Sequence, residues 1–145
     1  MPIRIETAVE IAAPVTAVWD DIAQIEHHVE WMTDAERIDF VSESRRGRGT
    51  RIEVLTRIGP LRTTDVMEFT AWEPPHRMAI RHVGMVSGSG EFTLAESGPN
   101  RTLFTWSETL DFPLRFGGSL GALLARPILT AVWRRNLDRL ARRFD

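Results

Sequence analysis

Alternation of apolar and polar residues through the middle of the chain constrains the fold more than any other feature of the sequence. The alternating segments are residues 36–44, 50–58, 62–72, 77–83, 90–96 and 102–112. A period of two is the pattern of a β-strand with one buried face. Short interruptions such as "RRGRG", "IGP", "EPPH", "SGSG" and "SGPN" carry turn residues, so consecutive strands should pair as hairpins. The sequence therefore predicts an antiparallel meander.

The flanking segments predict one more strand and the helices. Residues 3–11 alternate in the same way, whereas residues 13–25 and then 27–32 place apolar residues at helical spacing. Residues 117–144 are helical in pattern, with one apolar stripe formed by Leu120, Leu123, Leu124 and Ile128. A second stripe, out of phase with the first, is formed by Leu129, Trp133, Leu137, Leu140 and Phe144. The break at Pro127 predicts a kink or two helices, since proline removes a helical hydrogen bond.

These elements predict an α+β fold in a single domain covering residues 1–145. A seven-stranded curved antiparallel sheet wraps around a long C-terminal helix, and two short helices follow the first strand. A sheet that grips a helix in this way, with short helices closing one end, is expected to leave a hollow between them.

Composition narrows the function classes. The 145 residues include no cysteine, which excludes disulfides and thiolate chemistry, and a formal net charge of −2 does not indicate a nucleic-acid partner. The N-terminus resembles neither a signal peptide nor a spanning helix, so we expect a cytoplasmic protein without stable membrane insertion. We expect no cofactor, and a monomer or a homodimer.

Five pieces of sequence, in this order, carry a family resemblance: "IAAPVTAVWDDIA", "HHVEWM", "GRGTRIEV", "FTAWEPPHRMAIR" and the C-terminal amphipathic helix. Within the fourth, Pro74 and Pro75 cannot donate ladder hydrogen bonds and so end a strand. The chain resembles the SRPBCC or START-like helix-grip superfamily (Bet v 1/START-like fold), closest to the bacterial polyketide cyclase/dehydrase-like group.

The resemblance implies an internal cavity for a hydrophobic small molecule such as a lipid, a polyketide or an isoprenoid-like compound. One hypothesis is therefore a carrier or sequestering protein. The alternative is a polyketide cyclase/dehydrase-type enzyme, similar to aromatase/cyclases. A third, an interaction module with a filled core, stays open. The predicted cavity lining is Trp31, Val54, Met67, Phe69, Ile80, Phe92, Trp106, Leu110, Leu124 and Trp133.

The segment "HHVEWM" combines two histidines with a carboxylate and a tryptophan. Adjacent residues point about 100° apart on a helix, so His27 and His28 cannot ligate one metal as an i, i+4 pair could. We therefore predict no metal site. Trp31 and Met32 are predicted to wall the cavity mouth, with both histidines at the surface or at a helix end.

Asp65 and His82 fall in phase with inward-facing apolar residues of adjacent strands. Pairing Phe69 with Ile80 would place His82 opposite Met67 and diagonal to Asp65, within side-chain reach. Such a pair facing a cavity could act as a general acid–base. The alternative is a water-exposed pair at the rim, or a register that separates the two.

Glu108 lies in phase with a row of aromatic and aliphatic residues, Phe104, Trp106, Leu110 and Phe112. A buried carboxylate needs a partner, a proton or a polar ligand group. Arg115 or Arg126 is the predicted partner. In the alternative face assignment Glu108 is solvated, and Leu103, Thr105 and Ser107 point inward. The enzyme hypothesis thus assigns catalysis to Asp65, His82 and Glu108.

Overall fold

The computed structural model describes residues 2–84 and 86–145, with the side chain of Phe116 left out. All the alternating segments form one antiparallel sheet of seven strands in the order β1-β7-β6-β5-β4-β3-β2. The strands are β1 (Ile3–Ile11), β2 (Ala35–Phe40), β3 (Arg51–Ile58), β4 (Leu61–Glu73), β5 (Arg77–Val83), β6 (Ser87–Gly98) and β7 (Arg101–Asp111). The predicted meander is confirmed, and β1 closes it by pairing with β7.

The hairpin that joins β4 and β5 has the predicted register. Phe69 lies opposite Ile80, and Met67 lies opposite His82. The turn between them contains the Pro74–Pro75 pair, joined by a cis peptide bond. Two boundaries differ clearly from the prediction, since β2 ends at Phe40 and β6 begins at Ser87. The sequence "SGSG" is therefore part of a strand and not the turn that we predicted.

Two short helical segments follow β1, as predicted. They are α1 (Val15–Ile22) and a 3₁₀ helix at Ile25–Glu30. Another 3₁₀ turn, Leu114–Phe116, precedes α2 (Gly118–Arg142). The two-helix alternative at Pro127 is wrong, because α2 runs through that proline. In the described part of the chain no helix is both long and apolar enough to cross a membrane.

Helix α2 packs on the sheet with the second of its two predicted stripes and not with the first. Its inward positions are Gly118, Gly121, Ala122, Ala125, Leu129, Trp133, Asn136, Leu137 and Leu140. The first predicted stripe is wrong, since Leu120, Leu123, Leu124 and Ile128 are each more than half exposed, whereas the second is confirmed at Trp133, Leu137 and Leu140, which are buried. Small residues at helical spacing therefore face the sheet in the first half of α2, and large ones fill the core in the second half.

Candidate functional site

A cavity of about 420 Å³ lies between the inner face of the sheet and the first half of α2. Its apolar lining is Met32, Ala35, Ile38, Ile52, Val54, Ile58, Leu61, Met67, Phe69, Met78, Ile80, Val86, Phe92, Trp106, Leu110, Phe112, Ala125, Leu129 and Trp133. The cavity exists because the inward residues of α2 there are small, notably Gly121 and Ala125, so the helix leaves space that larger side chains would fill.

A buried histidine–carboxylate pair lies in the wall of this cavity. His82 Nε2 lies 2.6 Å from Glu108 Oε2, and the two side chains are only 10% and 7% exposed. The indole N–H of Trp106 donates to the other carboxylate oxygen, Oε1, over 3.1 Å. Both oxygens of Glu108 therefore have a partner, which is what a carboxylate in an apolar surrounding requires.

A glycine leaves room for that carboxylate. Gly90 of β6 lies opposite Glu108 of β7 in the sheet register. A Cβ placed on Gly90 would lie 2.6 Å from Glu108 Cδ, closer than real Cβ atoms approach, and would overlap Oε1. Gly84 similarly leaves room for the carboxylate of Asp65. The small residues of this segment thus permit acidic side chains to fold against the sheet.

The pKa of His82 is raised above its usual value by its surroundings. Burial, the largest influence, acts to lower the pKa, but the hydrogen bond and the charge of Glu108 and the charge of Asp65 together outweigh it. The imidazole is therefore a stronger base than an ordinary histidine. Basicity near neutral pH is what general acid–base chemistry requires of such a group.

A second polar group reaches the cavity from the segment before β2. Asp34 Oδ1 accepts a hydrogen bond of 2.7 Å from Asn136 Nδ2 on α2, and the amide oxygen of Asn136 accepts from the backbone N–H and the hydroxyl of Thr33. Burial raises the pKa of Asp34, the bond from Asn136 opposes this, and the charge of Glu108 adds to the rise. This network fixes α2 against the cavity floor, and sequence reasoning missed it.

The structure corrects the prediction for the "HHVEWM" segment. His28 is buried, and its Nε2 lies 2.7 Å from the backbone oxygen of Ile22. Since only an N–H can bond a carbonyl oxygen, Nε2 carries the proton. Burial lowers the pKa of His28 to about 4, although the bond to Ile22 acts the other way. Trp31 is 1% exposed and packs against Phe92 behind the cavity wall, whereas Met32 lines the cavity.

Most of the predicted lining residues do face the cavity. These are Val54, Met67, Phe69, Ile80, Phe92, Trp106, Leu110 and Trp133. Trp31 and Leu124 do not, the first because it lies deeper in the core and the second because it is 65% exposed on the outer side of α2. Asp65, His82 and Glu108 all line the cavity. Their catalytic role stays a prediction.

Two predictions about pairing need correction. The partner of Glu108 is His82, where we predicted an arginine, because their strands are separated only by β6 and Gly90 leaves the space between them open. The carboxylate hydrogen-bonded to His82 Nε2 is accordingly Glu108, while Asp65 acts on the imidazole through its charge. The inward assignment of Glu108 is confirmed, since the residue is 6% exposed.

The sheet wrapped against one long helix, with an apolar cavity between them, defines a protein of the helix-grip class. The chain belongs to the family described as polyketide cyclase/dehydrase and lipid transport, whose model matches residues 2–145. The family resemblance predicted from the sequence is thereby confirmed. No curated protein matches the chain significantly.

Solved structures with the same fold are similar over nearly the whole chain. The Zhui aromatase/cyclase from Streptomyces sp. R1128 has a TM-score of 0.73 and 20% identity, over 96% of this chain and 88% of that one. A protein from Thermus thermophilus has a TM-score of 0.82 and 17% identity, over 97% and 96%. A START superfamily protein from Mycobacterium smegmatis has a TM-score of 0.71 and 13% identity, over 96% and 92%. These likenesses establish the fold.

Proposed function

We propose that the protein binds a hydrophobic small molecule, such as a lipid, a polyketide or an isoprenoid-like compound, in the cavity between sheet and α2, as a carrier or sequestering protein. The observation that carries the proposal is the cavity itself, about 420 Å³ with a mainly apolar lining. Small-molecule sites in proteins typically have about 300–1,000 Å³ and this kind of wall. The cytoplasmic location and the monomeric or homodimeric state stay predictions.

Binding would draw its free energy from the apolar surface that the ligand loses to the cavity wall. Each Å² removed from water contributes roughly 25 cal/mol, so a ligand that buries about 300 Å² gains on the order of 7 kcal/mol before the entropy cost of association. The walls are already formed by strands and a helix, so little ordering of the protein opposes binding. Micromolar affinity for an apolar ligand is the expected range.

Filling the cavity from α2 tests this proposal. Ala125 lines the cavity, whereas Ala131, further along the same helix, is exposed away from it. Ala125→Phe should weaken binding of Nile red, a neutral apolar fluorophore, by at least about tenfold, since a phenyl group would occupy ligand space. Ala131→Phe adds the same group outside the cavity and should leave the affinity unchanged. Equal affinity in both variants, or no binding by the unchanged protein, would sink the proposal.

A second candidate function is a cyclase/dehydrase-type reaction, and the His82–Glu108 pair is the observation that favours it. In such a reaction the pair would take a proton from a methylene carbon between two ketones. The carbon then forms a C–C bond to another carbonyl carbon of the same chain, whose oxygen gains a proton. Loss of that hydroxyl with a neighbouring C–H proton forms C=C and releases water, so atoms and electrons balance without an oxidant or a reductant.

The two functions separate when turnover and binding are measured on the same variants. A linear poly-β-ketone thioester serves as substrate, and mass spectrometry follows the loss of water. His82→Gln and Glu108→Gln should each lower the rate by at least about a hundredfold with ligand affinity retained, the range for losing an acid–base group. Glu53→Gln, a change on the outer face of β3, is the matched control. Unchanged turnover in both site variants would reject the enzyme and leave the carrier.

A further inference from the structure

The described lining of the cavity contains more acidic than basic side chains. Asp34, Asp65, Glu91 and Glu108 all belong to its described lining, and that lining includes no arginine. Glu91 lies on the opposite face of β6 to its neighbours, where its carboxylate accepts a 2.8 Å bond from Arg77. The inward carboxylates are therefore Asp34, Asp65 and Glu108.

The lining histidines do not neutralise Asp34. His28 uses its Nε2 proton on the carbonyl oxygen of Ile22 and, being buried, is uncharged near neutral pH. His82 Nε2 is hydrogen-bonded to Glu108, so a positive charge on the imidazole is balanced by the negative charge of that carboxylate. The side-chain partner of Asp34 is the neutral amide of Asn136, which donates a hydrogen bond but brings no positive charge.

The arginines of the sheet form ion pairs with acidic residues outside the cavity. Their ion pairs lie on exposed surfaces, such as Arg4 with Glu6, Arg81 with Glu68, and Arg101 with Glu10. Water and salt screen such charges over about 10 Å, so they act weakly on a ligand held inside the fold. Asp34, Asp65 and Glu108 instead line the cavity itself, so their charges act on a ligand there directly.

We propose that the ligand of this cavity carries a basic amine on its apolar body, and that the cavity discriminates against carboxylates such as fatty acids. This inference rests on the proposed binding function and adds the charge class of the ligand. An ammonium group beside Asp34 gains attraction in a surrounding of low dielectric. A carboxylate would be buried next to like charges, in a described wall that offers it no arginine, which is strongly unfavourable.

Three ligands with the same ten-carbon chain test the inference: decylamine, 1-decanol and decanoate, each displacing Nile red from the unchanged protein at about pH 7.5. The amine is protonated there and the acid ionised. We expect decylamine to bind at least about tenfold more tightly than 1-decanol, and decanoate at least about tenfold more weakly. If 1-decanol displaces the fluorophore but decylamine binds no better, or decanoate binds best, the inference is wrong and the binding function stands. If Nile red and all three ligands fail to bind, the binding function itself fails.

Replacing Asp34 by asparagine tests whether this carboxylate causes the preference for decylamine over 1-decanol. Asp34→Asn preserves shape, keeps an oxygen for the amide of Asn136, and should reduce the affinity ratio of decylamine to 1-decanol by at least about threefold. Asp138→Asn removes the same charge from the exposed side of α2 and is the matched control. Affinity for 1-decanol should stay constant, which reports an intact cavity. An unchanged ratio in Asp34→Asn, or an equal change in the control, would overturn the assignment to this carboxylate.

Discussion

Replacing Gly90 by alanine should separate Glu108 from His82 while leaving the fold intact. The new Cβ would lie 2.6 Å from Glu108 Cδ and 2.9 Å from Oε2, distances that real Cβ atoms do not show. The atoms that it meets belong to the end of a side chain and not to the backbone of β7. The carboxylate should therefore rotate away from His82, and the strands should stay paired.

The size of the effect follows from the 2.6 Å bond between His82 Nε2 and Glu108 Oε2. A hydrogen bond to a charged group is worth about 1.5–3 kcal/mol, and one pKa unit corresponds to about 1.4 kcal/mol. Losing the bond should therefore lower the pKa of His82, because the charged imidazole loses its hydrogen-bond partner. Because the folded pKa is raised, this bond stabilises the fold below the unfolded pKa, and the contribution disappears as pH rises through the folded pKa. The stability lost by Gly90→Ala should therefore be larger at about pH 5 than at about pH 9.

An NMR titration of the imidazole protons measures this pKa, with His82→Gln to assign the resonance. Ser89→Ala is the matched control, since Ser89 lies next to Gly90 on the same strand and is exposed on the other face. The control should leave the pKa of His82 unchanged. A pKa in Gly90→Ala equal to or above that of the unchanged protein would refute the reasoning about the pair.

Three further predictions concern the core and its polar groups. His28→Gln keeps an N–H for the carbonyl of Ile22 but cannot titrate. Because burial lowers the pKa of His28 in the folded protein to about 4, lowering the pH from about 7.5 to about 5 should reduce the free energy of unfolding of the unchanged protein by about 2 kcal/mol more than that of the variant. Equal losses would contradict the buried histidine. Leu137→Ala, at a residue 1% exposed, should cost about 2–5 kcal/mol in urea unfolding, whereas Leu123→Ala, at one 59% exposed, should cost less than about 0.5 kcal/mol; similar costs would contradict the orientation of α2. Asn136→Ala should cost about 3 kcal/mol because it leaves buried polar partners unpaired, and a cost under about 1 kcal/mol would contradict that network.

Most of the fold could be predicted because apolar and polar residues alternate along the strands. The pairing of Phe69 with Ile80 was chosen because it brings the apolar faces of the two strands together. The "EPPH" turn alone would not give this pair, since β4 has a bulge between Phe69 and Ala71. The order of β2 to β7 followed from hairpin connections, whereas the pairing of β1 with β7 did not. The start of β6 could not be derived, because Gly88 and Gly90 are residues typical of turns. Only the structure shows that they belong to the strand.

The helix faces were harder to derive. Hydrophobic periodicity found the buried stripe in the second half of α2. In the first half it selected Leu120, Leu123 and Leu124, but small residues face the cavity there and these leucines are exposed. Hydrophobic periodicity alone does not predict a cavity, because it does not distinguish a helix face that packs on other side chains from one that borders empty space. The glycine and alanine positions at helical spacing were the signal that could have identified the inward face.

The residues of the site were predicted, but the hydrogen bond between His82 and Glu108 was not. Asp65, His82 and Glu108 were found because polar residues in phase with buried apolar ones need an explanation. The partner of Glu108 could not be derived, since it depends on strands that are distant in sequence and on Gly90 between them. Asp34 was missed because it lies before β2, outside any alternating pattern.

The most direct test of the central claim is native mass spectrometry of the protein as purified, followed by organic extraction and identification of what it carries. We expect an apolar molecule bound one to one, lost from Ala125→Phe and retained by Ala131→Phe. The extract would also show whether that molecule bears a basic nitrogen. A protein with no bound molecule that also fails to bind Nile red would contradict a ligand cavity and favour a filled core that serves a protein partner.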